Sequence, residues 1–99
     1  MEISCSKNET SLTIALSGRL DTTTAPDFEA VIKAELDGIS ELILDFGGLE
    51  YISSAGLRTL LVAQKKMSAQ GGSLIVRGCN ESIREVFEIT GFSDILTIE

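Results

Sequence analysis

The five residues Leu42-Ile43-Leu44-Asp45-Phe46 are apolar at every position but one, and Gly47-Gly48 follows them directly. A run this short and this apolar reads as a strand buried on both faces. The period changes on either side of it. Upstream, Phe28, Val31, Ile32 and Leu36 fall on one helical face. Downstream, Leu57, Leu60, Leu61 and Met67 do the same. A buried strand between two amphipathic helices belongs in a layered α/β domain, where strands joined through helices lie parallel with right-handed crossovers.

The rest of the chain extends this alternation. Leu12-Thr13-Ile14-Ala15-Leu16 has the period of a half-buried strand. Residues 1–6 are expected to pair with it as a hairpin turning around Lys7-Asn8-Glu9, and Gly18 then breaks the pattern. Thr24-Ala25-Pro26-Asp27 is a helix start, with Thr24 as cap and Pro26 in the first turn. Gly38 ends that helix. Gly47-Gly48 is expected to turn the chain into a long loop, which delivers a second helix from about Ser54 to Gln70. Gly71-Gly72 stops this helix, and Leu74-Ile75-Val76 forms another short strand. Asn80 caps a third helix with Ile83, Val86 and Phe87 inward, and Gly91 closes it. Ile95-Leu96-Thr97-Ile98 supplies a last strand or a docked tail. The order is β-β-α-β-α-β-α-β, one domain over residues 1–99, with a mixed sheet because a hairpin opens it.

Composition narrows the chemistry. With 43% hydrophobic and 23% charged residues, the chain has enough apolar material for a core. A net charge of −7 repels phosphate backbones and anionic lipid, so neither nucleic acid nor a membrane is expected as partner. No acid occurs from Tyr51 to Asn80, a stretch that holds Arg58, Lys65, Lys66 and Arg77. The chain has no His, and Cys5 and Cys79 form no Cys-x-x-Cys pair, so neither a metal site nor another cofactor is expected. The first residues lack the basic and apolar regions of a signal peptide, and no apolar run reaches the ~20 residues of a membrane span. The expectation is a cytoplasmic protein, monomeric when free.

Ligands of open α/β sheets meet the loops at the carboxyl ends of the strands. The loop after the apolar run ends in Tyr51-Ile52-Ser53-Ser54-Ala55-Gly56-Leu57-Arg58. Ser53, Ser54 or both can be there to cap the helix. A helix start also offers free N–H donors and a positive dipole end, which suit a phosphate. Arg58 lies four residues beyond Ser54 on the same helical side. Gly56 would let another backbone approach. Serine hydrolysis fits poorly, because Ile52 replaces the first Gly of a nucleophile elbow and the chain has no His to act as base. No phosphate-loop or dinucleotide motif is present. A second polar segment, Ser17-Gly18-Arg19-Leu20-Asp21-Thr22-Thr23-Thr24, carries more small polar groups than capping needs. Its Asp21, Thr22 and Thr23 would complete the same binding face.

Three segments together resemble the STAS-domain anti-sigma factor antagonists: Gly18-Arg19-Leu20-Asp21, the stretch from Asp45 to Leu57, and Gly91-Phe92 after a short helix. The resemblance runs over essentially the whole chain, and residues 45–57 are its specific part. It implies a STAS-like fold and a partner switch without catalysis of its own. An anti-sigma factor with serine kinase activity would bind the unphosphorylated protein and release a sigma factor. Phosphorylation at the second helix start would end that binding, and a serine phosphatase would restore it. The phosphoacceptor precedes the helix Gly by two positions, which gives Ser54, with Ser53 as rival. Ser53 stands where many members have Asp, and Ala55 where many have Ser. The implied partner surface comprises Asp21, Thr22, Thr23, Tyr51, Ser53, Ser54, Ala55, Gly56, Leu57 and Arg58. The alternative is a constitutive accessory subunit of a stressosome or transport complex that is not phosphorylated.

Overall fold

A computed structural model describes residues 1–99. Its elements are β1 (Glu2–Asn8), β2 (Ser11–Leu20), α1 (Ala25–Glu35), β3 (Glu41–Ile52), α2 (Ser54–Ala69), β4 (Ser73–Arg77), α3 (Glu81–Thr90) and β5 (Thr97–Ile98), with a 3₁₀ turn at Phe92–Asp94. The sheet has five strands in sequence order. The β1–β2 pair is antiparallel and the other three pairs are parallel. The expected mixed α/β architecture is therefore present, and the tail forms a strand beside β4.

Sequence-ordered parallel strands step in one direction across the sheet. Right-handed crossovers then put all three helices on the same face. Burial follows this geometry. Leu12, Ile14 and Leu16 on β2, Leu42, Leu44 and Phe46 on β3, and Leu74 and Val76 on β4 are buried beneath the helices. Thr13, Ala15, Ile43, Asp45 and Ile75 between them are only half-buried. The expectation that β3 is buried on both faces is corrected: one face carries the core and the other carries no helix. Phe28, Ile32 and Leu36 of α1, Leu57, Leu60 and Met67 of α2, and Ile83 and Phe87 of α3 complete one continuous core. Val31 and Val86 pack at its margin, and Leu61 is half-buried.

Two glycine readings change. Gly47-Gly48 does not turn the chain, because β3 continues to Ile52. A Cβ on Gly48 would lie 2.8 Å from the Cβ of Ser17, so glycine here permits close approach of β2 and β3. The register between the strands shifts at this point, between Ala15 and Ser17. Gly18 likewise lies inside β2, at φ +92°. The hairpin turn falls at Glu9-Thr10, between the paired Asn8 and Ser11, slightly later than expected. Asn80 caps α3 as expected, its Oδ1 accepting from the Ile83 N–H at 2.8 Å. Its amide also donates to the Leu49 carbonyl at 3.3 Å, tying this helix start to β3.

Candidate functional site

The parallel β2–β3 pair brings the two polar segments to one end of the sheet. Arg19 pairs with Tyr51 and Leu20 with Ile52. The Ser53 N–H then donates to the Leu20 carbonyl at 2.9 Å, so the α2 start hangs directly from the end of β2. Thr22 and Ala55 line a common groove of about 360 Å³ between α1 and α2, together with Pro26, Glu29, Arg58 and Val62 among others.

The α2 start separates the two serines. Ser53 has extended backbone, and its Oγ accepts from the Gly56 N–H at 3.3 Å. Ser53 is therefore the cap. Ser54 is the first helical residue, is exposed, and its hydroxyl makes no hydrogen bond within the chain. At this position the N–H groups of Ser54 and Ala55 have no intrahelical acceptor. The Ser54 hydroxyl sits at the positive end of the α2 dipole, an environment that favours negative charge.

The other α2 residues take different roles. Gly56 and Leu57 are buried and face the sheet. A Cβ on Gly56 would come within 2.8 Å of Leu20 Cγ and 2.9 Å of Ile52 Cγ1. The room at Gly56 is thus filled by the protein's own core, and not left for a partner's backbone. Tyr51, Ser54 and Arg58 are exposed, and Ser53 and Ala55 are half-buried. The basic setting is also narrower than the sequence suggests. Lys66 lies about 18 Å along the helix from Ser54 and pairs with Asp37 at 2.7 Å. Arg77 pairs with Glu99 at 3.5 Å. Arg58 alone of these bases lines the groove, and Glu29 lines it too.

The α1 start is built differently. Thr24 occupies the N-cap position, but its side chain does not cap the helix, contrary to expectation. Its hydroxyl accepts from the Asp21 N–H at 2.8 Å and donates to the Arg19 carbonyl at 2.8 Å. Asp21 supplies the missing acceptor, with Oδ1 3.0 Å from the Thr23 N–H and 3.1 Å from the Thr24 N–H. The Thr23 hydroxyl adds a bond of 2.8 Å. These groups hold the Asp21 carboxyl below its ordinary value of 3.8, the Thr23 hydroxyl most of all. The surplus of small polar residues in this segment is therefore largely a locked turn, with Thr22 left exposed.

Arg19 is the site residue that sequence reasoning passed over. Its guanidinium carbon lies 4.2 Å from the centre of the Tyr51 ring. Strand alternation could have placed it on the same side as Tyr51 once β2 and β3 were known to run to their observed ends. Burial raises the Cys79 and Cys5 thiols above their ordinary value, and Glu35 adds to the effect at Cys5. No group of three or more Cys, Asp or Glu side chains converges as a metal site would require.

Comparison with known proteins decides the family. Residues 2–99 match the STAS domain model. The chain belongs to the STAS domain family. This STAS domain is 36% identical to BtrV of Bordetella bronchiseptica, over 99% of the chain and 85% of that protein. It is 26% identical to the anti-sigma-B factor antagonist of Bacillus subtilis, over 99% of the chain and 90% of the relative. Its fold matches unphosphorylated SpoIIAA, an anti-sigma factor antagonist, with a TM-score of 0.79 at 19% identity, covering 99% of this chain and 87% of that one. No helix of the STAS domain is long and apolar enough to cross a membrane.

Proposed function

We propose that this STAS domain is an anti-sigma factor antagonist of a bacterial cytoplasm, switched by phosphorylation of Ser54. Unphosphorylated, it binds an anti-sigma factor that is also a serine kinase, and so releases a sigma factor. The kinase phosphorylates Ser54 and the complex dissociates. A serine phosphatase returns the domain to its binding form. The domain is substrate and ligand in this cycle and performs no catalysis.

The observation that carries the reading is the division of labour between the serines. Ser53 caps α2, and the exposed Ser54 hydroxyl is left without a structural task. The names of relatives, among them the anti-sigma-B factor antagonist of Bacillus subtilis, support the same function. The geometry supports a modification that acts on binding and leaves the fold alone. A phosphate of about −2 charge is stabilised by the helix start in the free domain. Under a docked partner the same charge would be buried, at a cost of several kcal/mol unless paired. Each ~1.4 kcal/mol is tenfold in affinity.

The test compares Ser54→Ala with Ser54→Asp in calorimetric titration against the anti-sigma kinase. Ser54→Ala is expected to bind as the unmodified protein does, and Ser54→Asp at least about a hundredfold more weakly. Equal affinities would remove the switch and favour a constitutive accessory subunit.

A further inference from the structure

The Arg19 side chain has two neighbours that orient it, although it is 60% exposed. Its guanidinium stacks on Tyr51, which is itself 41% exposed. Its Nε faces Asp21 Oδ2 at 3.8 Å. Its backbone carbonyl accepts from the Thr24 hydroxyl at 2.8 Å, which anchors the end of β2. Asp21 is in turn immobilised by Thr23 and Thr24. Surface arginines usually lose considerable rotamer freedom on binding, but one fixed beforehand loses less.

The Nη edge of Arg19 has a different status from that of two other arginines. Arg84 Nη2 donates to the Glu99 carbonyl at 2.9 Å, and Arg77 Nη2 faces a Glu99 carboxylate oxygen at 3.5 Å. The Arg19 Nη groups make no hydrogen bond or ion pair within the chain, so the side chain is oriented and its paired donors stay open. The Arg19–Tyr51 pair lies one register step before Leu20–Ile52, from which the α2 start is suspended. It therefore lies at the same end of the sheet as Ser54, with the Arg19 and Tyr51 side chains on the side of the strands opposite the buried Leu20 and Ile52.

We propose that Arg19 is a specificity-determining residue of the partner face, whose Nη donors take a carboxylate of the anti-sigma factor, with Tyr51 as the platform beneath. An oriented guanidinium suits bidentate carboxylate recognition, and Tyr and Arg are enriched among the residues that dominate interfaces. A polyanion such as nucleic acid is disfavoured by the net charge of −7, whereas a single acidic side chain on a protein is not. This inference rests on the antagonist reading and adds to it the chemistry of the partner.

The experiment titrates the anti-sigma kinase with wild type, Ser54→Asp, Arg19→Lys and Arg19→Glu, and follows thermal melting of each variant. Arg19→Glu is expected to weaken binding about a hundredfold and Arg19→Lys about tenfold, because lysine lacks the planar fork. Neither should lower the melting temperature enough to account for the loss. A partner variant with one acid changed to Lys that binds Arg19→Glu better than wild type would identify the carboxylate. If Ser54→Asp loses binding while Arg19→Glu binds as wild type does, the Arg19 inference is overturned and the switch stands. If Arg19→Glu weakens binding while Ser54→Asp does not, the switch fails and Arg19 keeps its role. Losses that track melting temperature would make Arg19 a structural residue and overturn the inference. Failure of wild type to bind the kinase overturns both.

Discussion

The starts of α1 and α2 lie at the same end of the sheet and are finished in opposite ways. At α1 the turn is saturated: Asp21 accepts from Thr23 and Thr24, and the Thr24 hydroxyl both accepts from Asp21 and donates to Arg19. At α2 one cap bond of 3.3 Å joins Ser53 to Gly56, and Ser54 beside it has no bond to lose. The first arrangement suits a rigid frame, since adding a charge would break bonds already made. The second can accept a phosphate without disturbing the fold. On the proposed switch, the contrast separates the free Ser54 hydroxyl from the bonded hydroxyls of Thr23 and Thr24.

The most demanding way to break this contrast is to move a charge by one residue. Ser54→Asp should lower partner affinity at least about a hundredfold, whereas Ser53→Asp should lower it far less, because Asp at the cap is taken up by helix N–H groups. Titration of the kinase with both variants measures this directly, and similar losses would dissolve the distinction between the serines. The next effect is on stability. Gly56→Ala should destabilise the domain by about 1–3 kcal/mol, because its Cβ meets Leu20 and Ile52. Denaturant unfolding would show it, and an unchanged midpoint would mean that the α2 start yields more easily than its packing implies. Ser53→Ala should cost about 1 kcal/mol by loss of the cap, while Ser54→Ala should cost much less.

The smallest effect is acid dependence at the α1 start. Asp21 is held below its ordinary 3.8, so it stabilises the fold above that pH, and the contribution is lost as pH falls through the depressed folded value. Asp37, depressed by hydrogen bonding to and the charge of Lys66, acts in the same window. Asp21→Asn should therefore flatten part of the stability loss below pH 3.8, and the Asp37 part should remain. Unfolding curves taken from pH 5 to pH 2 would check this, and an acid limb unchanged by the substitution would contradict it.

Features decided locally were legible in the sequence, and those decided by distant neighbours were not. Asn80 reads as a cap because its acceptor serves an N–H three residues on. The core faces of all three helices follow from spacing alone. Gly47-Gly48 carries the same composition whether it turns the chain or lets strands approach, and Ser17 on the neighbouring strand settles which. Gly56 is similar: Leu20 and Ile52 fill the space that looked open to a partner. Thr24 looked like a cap because nothing local revealed that Asp21 would take that task. Arg19 acquires meaning only from Tyr51, far along the chain and brought beside it by the β2–β3 register.

Ser54, and not Ser53, is the proposed phosphoacceptor. Incubation of the domain with its anti-sigma kinase and ATP, followed by peptide mapping of the product, tests it most directly. The account predicts one phosphate on Ser54, absent from Ser54→Ala and retained in Ser53→Ala. Labelling that persists in Ser54→Ala and disappears in Ser53→Ala would contradict it.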